Sequence, residues 1–510
     1  AAELYAYTEG WISALYLSLL SFVREGRFER QSSLAELIDK AVYRQCPAEV
    51  KEFLLTICVF DSFTMAQAQA MWPKENVEAM LGYLIRHNAF IKYDNKTYRM
   101  HNIFADFLRE MLARQGRERR RAVLRAAGNW YAGSGDHIRA MDAYYQAGDF
   151  DGLLTALELA KGRSINTEYK EKLIRYFREC PVEIKKARPW ACLVYAIYLF
   201  VFNEPELFAR QCAEISRYIE EFECDDNTRT QLAGELELLC SFSRYNSIAG
   251  MAEHVRKAAG LLKGPSRFLD KRALWSFGSP SVLYLFYRES GRLEKEVAEF
   301  TEWMPHYCRL TGGHGAGAEI MMQAERYYYI GDFENAEIFA NKAMCAAQSQ
   351  GQTAIVMCVL FLQVRLAIIN GNLPSALALL RQAREDIKRQ KLYQYIHTLE
   401  LCEGFVYAGL GQAKKIPAWI AQGDLKNSSI YFPTHAFFNI VYGKALLSGG
   451  QYLKLLGLAG QFIDVAAIFP NLLGQVYTHI YAAAAHHRLQ RRQEAQAAIG
   501  RAVDIAAADG

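Results

Sequence analysis

The residues of this chain best suited to hold a small molecule are Arg288, Glu325, Tyr328, Phe361, Arg365, Phe437, Lys444, Tyr477 and His487. Aromatic faces stack on a ligand, while arginine and glutamate fix its orientation through directed hydrogen bonds. Glu325 and Arg365 lie one repeat apart and could either pair or grip one small polar ligand between them. Other groupings fall short of a chemistry. Gly313-His314-Gly315-Ala316-Gly317 precedes a helical run, where backbone N–H groups attract anions, but it has no preceding strand and no basic partner. It reads as a flexible connector. His479, His486 and His487 include an i, i+7 pair without a carboxylate or cysteine to complete a metal set. The basic cluster Arg114, Arg117, Arg119, Arg120, Arg121 and Arg125 reads as a solvated helix face turned to an acidic neighbouring domain, with nucleic acid as the second reading. No nucleophile, base and orienting group stand together, so no enzyme is expected.

The ligand-holding residues take their places from a turn signature. Gly291, Gly331, Gly371, Gly411, Gly450 and Gln490 follow one another at intervals of 40, 40, 40, 39 and 40 residues. Glycine accepts the left-handed backbone that ends a helix. Small residues follow at fixed offsets, such as Ala336 and Ala343 or Ala376 and Ala383, and let a second helix pack closely on the first. Asn246, Asn203 and Gly135-Asp136 extend the signature upstream. A fixed period means stacked units, none able to bury its own apolar face. The pattern resembles the tetratricopeptide repeat, with a period near 40 in place of about 34. The ligand-holding set sits 13, 10, 6 or 3 residues before the turns, on first helices expected to line the concave surface.

The preceding residues read differently. Residues 1–32 carry a helical stripe of Leu4, Trp11, Leu15, Leu19 and Phe22. In residues 33–112, helices are followed by two short strands, Phe90–Tyr93 and Thr97–Met100, about a turn, and then by a helix from Asn102. The expected fold is therefore all-α: a TPR-like helical-repeat superhelix over 113–510, preceded by a winged-helix domain with one β-hairpin. Lys92, Lys96 and Arg99 on the wing could touch phosphates. The helix that would enter a DNA groove, Val77–Ala89, offers only Arg86 and His87 beside Glu78, Met80 and Leu81, so direct DNA binding is disfavoured. A formal charge of +4 over 510 residues supplies no general attraction to nucleic acid or anionic membrane. Eleven cysteines without a CxxC pair suit buried thiols in a reducing compartment. The longest apolar run, Trp190–Phe202, is too short to cross a bilayer. A cytoplasmic protein without membrane partners is expected. The start at Ala1-Ala2, with no methionine, suggests a piece of something longer.

Three stretches resemble consecutive landmarks of the MalT-type regulators: TEGWISALYLSL (Thr8 to Leu19), CPAEVKEFLLTICVFDSF (Cys46 to Phe63) and YRMHNIFADFLREML (Tyr98 to Leu112). These are ATP-dependent activators of the LuxR superfamily, in the STAND class of signalling ATPases. VLRAAGNWYAGSGDHIRAMDAYYQAGDF (Val123 to Phe150) is similar to the family's passage into its repeat sensor. The resemblance implies the end of a helical domain at 1–32, a winged helix at 33–112 and a superhelical sensor at 113–510. Met100-His101-Asn102 resembles the MHD motif of plant disease-resistance STAND proteins, which implies that His101 contacts the ADP β-phosphate and locks the resting state. An imidazole can donate a hydrogen bond and carry charge near neutral pH. Gly10-Trp11-Ile12 resembles the nucleotide-edge motif, with Trp11 at the nucleotide and Ile12 where relatives have proline. A Walker A loop is absent from the sequence, and no LuxR-like helix-turn-helix follows Ala502. The chain itself is thus expected to hold no cofactor. ATP and ADP, and contact with DNA, belong to other domains of the full-length protein. The implied function is inducer or partner sensing, with self-association in the active state. The alternative is a TPR-like protein-binding scaffold without nucleotide switching.

Overall fold

A computed structural model of the chain describes residues 35, 38, 39 and 42–509, apart from 75, 88, 89, 162–164, 270 and 427. The helical reading of residues 1–32, Trp11 included, lies outside the described residues. The chain divides into two compact units, one up to Leu159 and one from Ala160.

In the first unit, α1 (Ala48–Ile57) starts after Pro47 and buries Val50, Phe53, Leu54 and Ile57. Strand β1 (Ser62–Phe63) leads to α2 (Met65–Met71), whose start is fixed by a reciprocal pair: Gln67 N–H donates to Thr64 Oγ1 at 3.2 Å and Thr64 N–H to Gln67 Oε1 at 2.8 Å. Helix α3 (Val77–Arg86) precedes the hairpin of β2 (Ile91–Asp94) and β3 (Thr97–Met100). Asn95 and Lys96 make its turn, both left-handed at φ 46° and 62°, as a two-residue hairpin loop requires. The expected single hairpin gains a third strand: β1 pairs antiparallel with β3, Ser62 opposite Arg99 and Phe63 opposite Tyr98. Two residues are too few for an alternating pattern to show in the sequence. Helix α4 (Asn102–Arg114) packs on α1, then come α5 (Arg117–Gly133), α6 (His137–Ala147) and α7 (Phe150–Leu159). Val123 and Ala127 of α5 and Ala143 of α6 join the winged-helix core around Phe53, Phe63, Phe104 and Leu108. Part of the arginine cluster is tied within this unit, with Arg119 on Glu52 at 3.1 Å and Arg125 on Asp149 at 2.7 Å.

The second unit opens with α8 (Lys170–Glu179), α9 (Val182–Lys186), α10 (Pro189–Val201), α11 (Pro205–Glu221), α12 (Asp226–Cys240) and α13 (Ile248–Leu261). After a long irregular passage holding only α14 (Leu283–Phe286) come α15 (Leu293–Leu310), α16 (Ala318–Tyr329), α17 (Phe333–Ser349), α18 (Thr353–Ile369) and α19 (Leu373–Gln390). The last helices are α20 (Ile396–Gly409), α21 (Ala418–Gln422), α22 (His435–Ser448), α23 (Tyr452–Ile468), α24 (Leu472–Arg488) and α25 (Arg492–Ala506). No strand occurs here among the described residues. The turn signature is seen directly: Gly331, Gly371, Gly411 and Gly450 have φ between 67° and 83°, and Asn203, Asn246 and Gln490 reach 57°, 57° and 61° without being glycine. After Gly331 and Gly371 the next residue caps the following helix, Asp332 accepting from Asn335 N–H and Asn372 from Ser375 N–H, each at 3.1 Å. Ala336, Ala343 and Ala376 are wholly buried between paired helices.

Residues 263–282 depart from the expected run of paired helices. Gly264, Pro265, Gly278, Pro280 and four serines break helical pattern there. Phe268, Trp275 and Val282 of the segment are nonetheless in the core, while Lys263, Gly264, Pro265, Arg267, Lys271 and Arg272 are exposed. The segment lies against the first helices of successive pairs. Cys358 Sγ–H donates to Ser279 O at 3.5 Å, Thr434 Oγ1–H to Phe277 O at 3.0 Å, and Asn471 Nδ2–H to Tyr284 O at 2.5 Å. The Gly313–Gly317 stretch is likewise packed rather than a flexible connector. His314 is buried with Nδ1 2.8 Å from Tyr307 Oη, and a Cβ on Gly315 would meet Trp275 Nε1 at 2.2 Å. Among the described residues, no helix is long and apolar enough to cross a membrane.

Candidate functional site

His101 stands where β3 passes into α4. Its backbone N–H donates to Phe90 O at 2.8 Å, and its ring meets the Phe90 ring edge-on at 5.8 Å between centroids. Nδ1 accepts from Ile103 N–H at 3.4 Å, so the imidazole caps the first turn of α4. Capping is thus a role of His101 within the described fold, beside any contact with a nucleotide.

In the repeats, the residue six positions before each turn glycine comes from Glu325 on α16, Arg365 on α18, Phe405 on α20 and Lys444 on α22. Arg365 Nη2–H donates to Glu325 Oε1 at 2.9 Å, and Nη1–H to Tyr329 Oη at 3.3 Å. The guanidinium also lies 4.5 Å from the Tyr328 ring centroid and 4.6 Å from that of Phe361. Glu325 is 0% exposed and Arg365 4%. Glu325 Oε2 accepts from Val282 N–H and Leu283 N–H, each at 2.8 Å. Burial pushes the Glu325 carboxyl above the usual carboxylate range, and Arg365 with these donors pulls the other way. Two buried charges persist when paired and well hydrogen-bonded, and here Arg365 Nε is left without a partner among the described residues. Of the two uses that the spacing leaves open, the structure has the pair, and the third partner is the chain's own backbone.

Beyond the pair, the row continues through rings. Phe361 meets Phe405 edge-on at 5.3 Å, and Lys444 Nζ lies 3.7 Å above the Phe405 centroid. Lys444 is half-buried and makes no ion pair among the described residues; burial pulls its ammonium down to about 8. It is the one member of the row with its charge left to offer. Phe437 packs on Tyr284 at 5.0 Å, whereas His487 is exposed. Arg288 lies past the irregular segment, its N–H donating to Glu296 Oε2 at 3.2 Å, and is not brought into this row. Sequence reasoning missed Phe405, which the register six before the turn would have found. It also missed Glu235 on α12, wholly buried, which accepts from Ser266 Oγ–H and Arg267 N–H, each at 2.5 Å. Glu235 and Glu325 thus hold the irregular segment near its two ends. Nothing periodic marks Glu235. Among the described residues, no group of histidine, cysteine and carboxylates is placed to hold a metal.

Residues 39–120 match the family model described as the MalT winged helix domain. Serine/threonine-protein kinase PknK of Mycobacterium tuberculosis is 25% identical over 325 residues, 60% of this chain and 28% of the kinase. HTH-type transcriptional regulator MalT of Vibrio campbellii is 28% identical over 151 residues, 27% of this chain and 17% of the regulator. The chain therefore spans well under a third of the length of either relative. Among solved structures, a signal transduction ATPase with numerous domains (STAND) carrying a tetratricopeptide repeat sensor, from Pyrococcus horikoshii, aligns with a TM-score of 0.41. That alignment has 14% identity and covers 98% of this chain and 68% of the other. Residues 39–120 are thus a winged helix of the MalT type, and helical repeats follow it in sequence.

Proposed function

We propose that the chain is the sensing part of a MalT-type transcriptional regulator. Its repeats bind an inducer or protein partner. Its winged helix relays that event to an ADP/ATP switch and to a DNA-binding domain carried elsewhere in the full-length protein, where self-association accompanies activation. The observation that carries the reading is the winged helix of residues 39–120, the module in which such a switch would receive the signal. A ligand shifts a switch only by preferring one of its states. The irregular segment 263–282, held near its ends by Glu235 and Glu325, offers an element whose position a ligand could bias. In this reading Glu325, Arg365, Tyr328 and Phe361 hold the segment rather than touch the ligand. The scaffold reading needs room for an extended peptide along the first helices, and the segment already lies against α16, α18 and α22.

The test uses a protein that includes the nucleotide domain. His101→Asn keeps an N-cap, since asparagine is among the best capping residues, but removes the imidazole. Inducer-independent transcription should rise about tenfold or more, as the loss of a charge-assisted contact to phosphate implies, with an unchanged melting temperature. Unchanged basal transcription would remove His101 from the switch. In this chain alone, a bound inducer should slow amide exchange in the segment.

A further inference from the structure

A cavity of about 90 Å³ lies in the second unit between α10, α13, α15 and the irregular segment. Phe268, Trp275 and Phe277 of the segment form one wall, on the stretch between its two glutamate anchors. Tyr245 and Trp303, each 6% exposed, line the cavity as well. Their polar atoms, Tyr245 Oη and Trp303 Nε1, are buried without a hydrogen-bond partner among the described residues. Buried polar groups are as a rule satisfied, so two orphans among the residues lining one cavity point to a missing partner. An indole N–H only donates. The missing partner is therefore an acceptor.

The rest of the lining restricts the ligand further. No carboxylate lines the cavity among the described residues, and its charged member, Lys161, is a cation, so a cationic ligand has no counter-charge there. Few polar groups face inward, so a sugar would leave most of its hydroxyls unpaired. Apolar cavities of this order stay dry and take up small apolar molecules. Resting on the sensor reading above, we infer that this cavity is the inducer site and that it takes a small uncharged molecule. That molecule is a ring of about six to eight non-hydrogen atoms carrying one ketone or ether oxygen, which accepts from Trp303 Nε1–H and Tyr245 Oη–H. Filling the cavity ties the segment wall to α10 and α15, and so biases the element held by Glu325.

Cyclohexanone is the probe, with cyclohexane and tetramethylammonium as controls. The whole chain is titrated while tryptophan fluorescence, which Trp275 and Trp303 would report, and the melting temperature are followed. Cyclohexanone should bind with Kd of about 0.1–1 mM, within the range open to so few atoms. Cyclohexane should bind about tenfold more weakly, and tetramethylammonium not at all. Tyr245→Phe keeps the ring and Trp303→Phe keeps an aromatic side chain without the N–H, and each should weaken cyclohexanone about tenfold. Ala273→Leu fills the cavity and should raise the ligand-free melting temperature while abolishing binding. If Ala273→Leu stabilises but cyclohexanone never binds the parent chain, the space is a packing void and the inference fails. If some metabolite binds the chain with affinity unchanged by Ala273→Leu, the site lies elsewhere, and the sensor reading stands without this inference.

Discussion

The helix pairs from α16 to α25 and the segment 263–282 that lies against them are both buried, yet different forces hold them. The pairs are held by contacts between neighbours in sequence: an alanine against the preceding helix, a left-handed turn and, after Gly331 and Gly371, a cap one residue on. Each unit repeats the same local solution, and stability accumulates along the stack. The segment has no such period. Its backbone groups are satisfied by side chains far away in sequence, Glu235, Glu325, Cys358 and Thr434 among them. A buried irregular backbone needs partners of that kind for every N–H and C=O. The repeats are therefore robust to single changes, while the segment depends on a few polar residues.

Removing one of those residues should have the largest effect. Glu325→Ala leaves Arg365 buried without its counter-charge and takes the acceptor from Val282 and Leu283 N–H. A loss of about 3–5 kcal/mol is expected, read from the urea midpoint, with fast amide exchange at Val282 and Leu283. The double variant Glu325→Met, Arg365→Met should recover more than half of the loss, because no lone charge remains. Exchange in the segment should stay fast even so, since its acceptor is still missing. If Glu325→Ala costs less than about 1 kcal/mol, the segment is held by its apolar side chains and the contrast between the two regions collapses.

The same contrast explains what could be read in advance. The turns at Gly331, Gly371, Gly411 and Gly450 were legible because a left-handed position favours glycine wherever it falls, and a fixed interval repeats the signal. Even Asn203, Asn246 and Gln490 are legible, through their spacing together with the apolar or small residues that follow at the same offsets. The wing was legible through its alternating strands and the turn at Asn95-Lys96. The segment was not, because glycine, proline and serine say only that a helix is broken, not where the broken chain goes. Its route is written in Glu235 inside a helical pattern and Thr434 just before one, single polar residues that look like any others until their partners are seen. The pairing of Glu325 with Arg365 was half legible. Their equal offset from the turn made them neighbours, but only the path of the segment removes them from solvent.

A smaller effect is expected at the far end of the row, where the repeats carry a charge without a counter-charge. Burial lowers the Lys444 ammonium from 10.5 to about 8. Between those values the unfolded chain binds a proton that the folded chain does not, so stability rises with pH across that window. Below about 8 the penalty of the buried charge is fully present, and above about 10.5 it is gone. Lys444→Met should therefore stabilise the chain at pH 7 by about 1–2 kcal/mol, with the gain fading as pH is raised through the window. A gain that does not change with pH would mean that Lys444 is uncharged throughout, or already solvated in the fold.

The smallest expected effect tests the regular region on its own terms. Gln490 occupies the turn position at φ 61°, where a side chain meets its own backbone, while Gly331 occupies the equivalent position at φ 83° with open space around it. Gln490→Gly should gain about 0.5–1 kcal/mol and Gly331→Gln should lose about the same, because the two turns are one local solution. Opposite signs of equal size, read from urea midpoints, would show that the turn sets its own energy with little help from tertiary contacts. If Gly331→Gln costs several times what Gln490→Gly gains, the helix pairs nearer the segment are held by more than local geometry, and the two regions are coupled.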